Sequence, residues 1–229
     1  MNAPDHTIFN GDKDTGISAG TIQKWGGIAS FLIPIALVVA HWIYLAGNLR
    51  DAIGPFTYSL ADFLYGPVFA ASLVTAVYAL RERIGERAPR LMTLALLIAL
   101  AAACAFVAVA SIRSANRYYH LVHPELRLES STTILIIWTT LVAGIIGAAW
   151  HILGWAFLLI GVAGWTSRRL PRLLSALYLV GGAISLFVFV LPGLEGNALV
   201  ATLVISVWQG ILMLKVEPEG MQEPAINAS

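Results

Sequence analysis

Apolar residues gather in six stretches, roughly Gly27–Leu45, Thr57–Leu80, Leu91–Ile112, Ile134–Trp165, Leu173–Leu191 and Ala198–Leu214, and polar residues collect between them. A helix that crosses a bilayer needs about 20 mostly apolar residues. The pattern therefore predicts an all-α fold, a polytopic membrane bundle of six transmembrane helices over residues 25–215. A polar tail, 1–24, precedes the bundle and a second, 216–229, follows it. The fourth stretch is too long for one simple crossing. At 1.5 Å per residue it reaches about 45 Å or more, against a hydrocarbon core of about 30 Å. Thr132–Gly144 is expected to lie partly outside the core or to tilt strongly. Gly144 and Gly147 are separated by apolar residues, with no proline or charge nearby to turn the chain, so no seventh crossing is expected.

Punctuation within the stretches refines this. Pro34 and Pro67 each remove a backbone donor and should bend their helices. Gly147, His151, Gly154 and Gly161 are spaced 4, 3 and 7, which places them on one face of the fourth helix; Gly164 falls further round. A small-residue face admits a close helix neighbour, either within the chain or from another subunit in a homo- or hetero-oligomer.

Composition agrees with the membrane reading. Hydrophobic residues make up 58% of the 229 positions and charged residues 12%, with a mean hydropathy of +0.78. Soluble domains carry about 25% charged residues. A net charge of +1 gives no support to nucleic-acid binding, and one cysteine excludes an internal disulfide framework. The first residues lack the basic, apolar, small-residue order of a cleavable signal. Basic residues set the orientation. Ten of them, Arg81, Arg83, Arg87, Arg90, Arg168, Arg169, Arg172 and the lysines of the flanks, share one side; Arg50, Arg113, Arg117 and Arg127 share the other. The positive-inside rule then places both termini in the cytoplasm of a multi-pass bacterial inner-membrane protein.

Ionisable residues at membrane depth are costly and mark candidate sites. Asp62, His41, His151 and Arg113 all fall in the outer part of their helices in this topology, in one shared layer. Tyr58, Asp62, Tyr65, Phe69 and Ser72 are spaced 4, 3, 4, 3, an inward stripe on the second helix. Arg113, Asn116, Arg117 and His120 share a face of the third helix, extended beyond the membrane. Asp62 paired with Arg113 or Arg117 would cancel both charges where solvation is poor.

Two sharper uses of the layer compete with that structural pair. One is an outward pocket for a small amphipathic or lipid-like ligand, its polar end set by Asp62 and Arg113 and its walls by His41, Tyr65, Trp150, His151 and Trp155. The other is a haem- or metal-dependent enzyme: His41 and His151 on a haem iron, or His41, Asp62 and His151 on zinc. No signature of paired histidines supports the second, so no cofactor is the primary expectation. A phosphate loop, a nucleophile elbow, a second buried acid, a voltage-sensor arginine row and a membrane lysine are all missing from the sequence. A third class is an accessory subunit docking through its glycine faces.

One family likeness is carried by Gly147–Phe187, where a glycine-bearing helix ends in the basic turn Arg169-Leu170-Pro171-Arg172 and Gly181-Gly182 follows. It extends to Leu60–Arg81, an Asp-bearing helix ending in Tyr-Ala-Leu-Arg. These segments resemble bacterial membrane proteins of the domain-of-unknown-function 4386 type. The resemblance implies six helices and brings no catalytic residue with it.

Overall fold

The computed structural model describes residues 19–49, 55–122 and 132–215. Residues 1–18 and 216–229 of the two tails, and 50–54 and 123–131 of the segments expected on the outer side, with Arg50 and Arg127, lie outside the described residues. No strand occurs among the described residues; helices and short turns account for them. In chain order these are α1 (Ala19–Leu49), α2 (Pro55–Phe63), a π-helical turn (Leu64–Val68), α3 (Phe69–Ile84), α4 (Pro89–Val122), α5 (Thr132–Ser167) and α6 (Arg172–Phe187). A short 3-10 turn (Pro192–Leu194) and α7 (Glu195–Lys215) complete the chain. Five segments are long and apolar enough to cross a membrane: Gly20–Ala46, Thr57–Ile84, Pro89–Tyr119, Ile136–Ser167 and Pro192–Lys215.

The start of α1 and the end of α6 differ from expectation, while the Pro67 bend and the length of α5 take definite forms. α1 begins within the expected polar tail, because Ile22 packs on the core and Gln23 is buried despite the polar composition around them. The bend expected at Pro67 takes the form of the π turn. Proline offers no N–H to the carbonyl four residues back, and the Phe69 N–H reaches the Leu64 carbonyl five residues back. α5 runs unbroken for 36 residues, about 54 Å, so its length is one continuous helix with no turn. α6 stops at Phe187, four residues short of the expected span, at 16 residues or about 24 Å. The N–H groups of Val190 and Leu191 fold back to the Phe187 carbonyl, and Pro192 cannot continue a helix.

The helices form a ring in which each packs on its sequence neighbour and α7 closes on α1. The start of α1 lies beside the ends of α3 and α7, since Gly26 faces Ala79 and Gly27 faces Leu214; we call this the near end. The end of α1, α2, the end of α4, the start of α5 and the start of α7 form the far end. A regular seam on α4, Met92, Ala95, Ala99, Ala102, Phe106 and Val109, is buried throughout at spacings of 3 and 4. Alanine there lets neighbouring helices come close without voids. At the near end, Arg83 and Arg87 donate to the Leu212 and Ser167 carbonyls (3.4 and 3.0 Å), last-turn acceptors of α7 and α5 that have no partner within their own helices. Arg168 takes φ 56° as the left-handed cap that ends α5, its N–H bonded to the Gly164 carbonyl. Deeper in the bundle the buried Tyr178 hydroxyl donates to Gln209, whose amide donates to the Ala76 carbonyl at 3.0 Å. That chain ties α6, α7 and α3 together.

The glycine face of α5 is used inside the chain, against α6. A Cβ on Gly154 would lie 2.7 Å from the Leu186 nitrogen and 2.8 Å from the Gly182 oxygen, both backbone. Gly182 meets Gly154 reciprocally, and Gly161 meets Leu179. Gly164 belongs to the same contact after all, since its Cβ would come 2.7 Å from Ser175 Oγ and 2.8 Å from Leu170 Cδ1. The α6 helix starts right after the Arg169–Arg172 turn and so crosses α5 there too. Gly144, near the far end, has no atom within 4 Å of a Cβ. We expect Gly154→Leu to destabilise the bundle by about 1–3 kcal/mol through overpacking, and Gly144→Leu to be neutral within about 0.5 kcal/mol. Thermal unfolding in one detergent compares them; equal losses at both positions would contradict the backbone-to-backbone crossing.

Candidate functional site

The charged residues of the far end converge on one carboxylate. Asp62, 1% exposed, sits on α2 one residue before its end. Arg117 Nη1 bonds to Asp62 Oδ2, the Tyr44 hydroxyl donates to Oδ1, Arg113 Nε lies 3.4 Å from Oδ1, and Ser114 Oγ donates to Oδ2 at 3.4 Å. Arg113 and Arg117 reach one acceptor because they are four residues apart on α4 and project from the same side. Their guanidiniums also lie over aromatic rings: Arg113 is 4.3 Å from the Tyr44 centroid, and Arg117 is 4.8 Å from that of Tyr58. The expected alternative pairing, Asp62 with Arg113 or Arg117, is thus a sharing of one acid between two bases. Tyr58, Tyr65, Phe69 and Ser72 keep to the inward stripe of α2 and α3.

Beneath this knot an aromatic column crosses the bundle. The His41 ring lies 5.7 Å from Tyr65, Tyr65 lies 5.6 Å from Phe106, and Phe106 lies 5.3 Å from Trp150, all edge to face. His41 Nδ1 is 2.9 Å from the Leu37 carbonyl of its own helix. Trp150 is fully buried, with no hydrogen-bond partner for its indole N–H among the described residues. It is packing for the column, not a cavity wall.

His151, one position on, turns away from the column toward α6. Its Nδ1 is 2.9 Å from the Leu186 carbonyl, and the Trp155 indole donates to its Nε2 at 3.3 Å. Those two bonds require the tautomer with the proton on Nδ1. Leu186 is in the last turn of α6, where a carbonyl lacks a helical partner, so His151 caps a neighbouring helix. Neither His151 nor Trp155 joins Asp62. Among the described residues no three His, Cys, Asp or Glu side chains gather closely enough to hold a metal ion, and His41, Asp62 and His151 are no such group. A shared depth along the membrane normal does not fix direction around it, and the two histidines face different neighbours.

A cavity of about 400 Å³ opens at the far end beside the knot. α4 contributes Arg113, Asn116 and Arg117 to it, and α5 contributes Trp138, Thr139, Val142, Ala143, Ile146 and Gly147. Val188, Pro192 and Glu195, from the connection between α6 and α7, complete the lining. Of the seven residues expected to bind ligand, Arg113 alone lines this cavity. Asp62 holds both arginines without lining it, and the buried Tyr65 hydroxyl donates to the lining residue Glu195 at Oε1, 3.5 Å away. Glu195, Trp138 and Thr139 were not expected. Glu195 lies in a turn at the same end as the arginines, and Trp138 and Thr139 stand on the part of α5 that runs alongside the extended α4; those two positions were the available signals. Phe189 and Val190, which follow the lining residue Val188, are exposed. A second groove, of Leu203, Val204, Val207, Trp208 and Ile211 on α7, offers hardly any polar surface.

Comparison with family models, with curated proteins and with solved structures finds no match to the chain. The functional reading therefore rests on the site itself.

The knot makes unequal demands on its members. Asp62→Asn leaves two guanidiniums facing a neutral amide, and removal of one side of a buried pair costs about 3–5 kcal/mol. Arg117→Gln leaves the carboxylate with Arg113, Tyr44 and Ser114, and we expect it to cost less, about 1–3 kcal/mol. Adding Arg117→Gln to Asp62→Asn should then recover part of the loss. Unfolding of the three variants in detergent at one pH measures this; losses that simply add would show that Asp62 and Arg117 are not coupled.

Proposed function

We propose that this chain is a multi-pass protein of a bacterial inner membrane. In this reading α6 is the sixth crossing, both termini are cytoplasmic, and the far-end cavity faces outward to bind a small amphipathic or lipid-like molecule. The observation that carries the reading is the two-sided lining of that cavity. Arg113, Asn116 and Arg117 stand on α4, while Val142, Ala143, Ile146 and Val188 supply an apolar wall. Sites of this kind combine an apolar lining with a few convergent polar groups. Asp62 holds the arginines in place, so their donors are oriented before a ligand arrives and less order is lost on binding. The apolar wall of Val142, Ala143, Ile146 and Val188 suits a hydrocarbon tail, and the arginines of α4 suit a polar head. The resemblance to the 4386-type family is compatible with six crossings and adds no activity.

Two experiments test the reading. In a Cys104→Ala background, a cysteine in place of Arg127 should react with a membrane-impermeant maleimide on intact cells; labelling only after the membrane is opened would reverse the orientation. Ala143→Trp adds a large side chain to the cavity wall, away from the charged knot. The variant should lose amphiphile that co-purifies with the parent protein, with stability unchanged within about 0.5 kcal/mol, as for other surface positions. Retention of the same molecules at the same stoichiometry would contradict binding in this cavity.

A further inference from the structure

The cavity carries a second charge that the binding reading leaves unused. Glu195 opens α7, is half-buried and lines the same cavity as the arginines of α4. Among the described residues its carboxylate has no ion pair within 4 Å; its contact is the Tyr65 hydroxyl at 3.5 Å. Arg113 and Arg117 both turn to Asp62, so two guanidiniums share one buried carboxylate and one positive charge is left over. The cavity thus presents excess positive charge on α4 and negative charge at the start of α7, with no ion pair between them within 4 Å among the described residues. An acid in the first turn of a helix is favourable on its own account. That explains a carboxylate at position 195, but not its place in the wall of a cavity whose other charges are cationic.

We infer that the ligand's polar head is a zwitterion, an anionic group beside an ammonium, and that Glu195 is the specificity residue for the ammonium. This rests on the cavity being a binding site and goes beyond it in naming the class of head. An anionic oxygen takes guanidinium N–H donors, which match phosphate and carboxylate geometry. The ammonium then reaches Glu195, and the Trp138 ring in the same lining can add a cation–π contribution. A purely anionic head would satisfy α4 and face repulsion at Glu195. A phosphoethanolamine group has this chemistry, whether on a phospholipid or free in solution.

The test uses the full chain in detergent, with lipids of identical acyl chains added in pairs and retention read by native mass spectrometry. Phosphatidylethanolamine should be retained over phosphatidylglycerol by about threefold to tenfold, the range expected of one partly exposed charge contact. Glu195→Gln should abolish that preference while still retaining lipid, and Glu195→Asp should restore part of it. Unchanged melting of Glu195→Gln confirms that the fold is intact. Equal retention of the two lipids, or a preference that survives Glu195→Gln, would overturn the inference and leave the cavity a site for amphiphiles at large. Retention of both lipids unaffected by Ala143→Trp would instead overturn the binding reading. Displacement of phosphatidylethanolamine by soluble O-phosphoethanolamine would support a free zwitterion as the source, and retention in its presence would support the membrane lipid.

Discussion

One buried carboxylate organises the far end of this molecule. An ionised acid out of water is tolerated only where partners replace its solvation. Asp62 has two guanidiniums, a phenol and a serine hydroxyl, drawn from α1 and α4 while the acid itself is on α2. Satisfying that acid therefore requires three helices to meet at a fixed height. It also fixes which way Arg113 and Arg117 point, and thereby how one wall of the cavity is charged. The π-helical turn at Pro67 follows directly and puts Tyr65 between the knot and the aromatic column. Widened turns of this type often accompany functional sites.

The near half of the bundle is held by different means. Glycine crossings bring α5 and α6 into backbone contact, and the Tyr178–Gln209–Ala76 chain joins α6, α7 and α3 without any charge. His151 bridges the two regimes by bonding the last turn of α6. The architecture thus separates a rigid, closely packed region from a polar region with room for a ligand.

The sequence carried much of this, and what it missed has a common cause. Hydrophobic length located the helices, because the spacing of apolar residues is a local property. The 4, 3, 4, 3 stripe found the inward face of α2 and α3, and the shared depth of Asp62 and Arg113, with Arg117 one turn further on the same face of α4, anticipated their pairing. Depth alone could not tell that His151 faces α6 while His41 faces Tyr65, since rotation about the bundle depends on which helices become neighbours. For the same reason Trp150 and Trp155, placed together in the expected wall, divide between the core and the surface. Glu195 and Trp138 were legible only as residues at the right end of the chain's fold, because their shared cavity arises when the α6–α7 connection closes against the long ends of α4 and α5. Gln209 went unseen because one amide in an apolar helix has no pattern of its own.

The central claim is that Asp62 holds the far end as a unit that does not control the near end. Hydrogen–deuterium exchange on Asp62→Asn beside the parent chain tests it most directly, since local opening registers segment by segment. Protection should fall in 57–68 and 106–119 and remain unchanged in 172–187 and 203–215. Unaltered protection at 57–68, or a uniform loss through α6 and α7, would contradict the account.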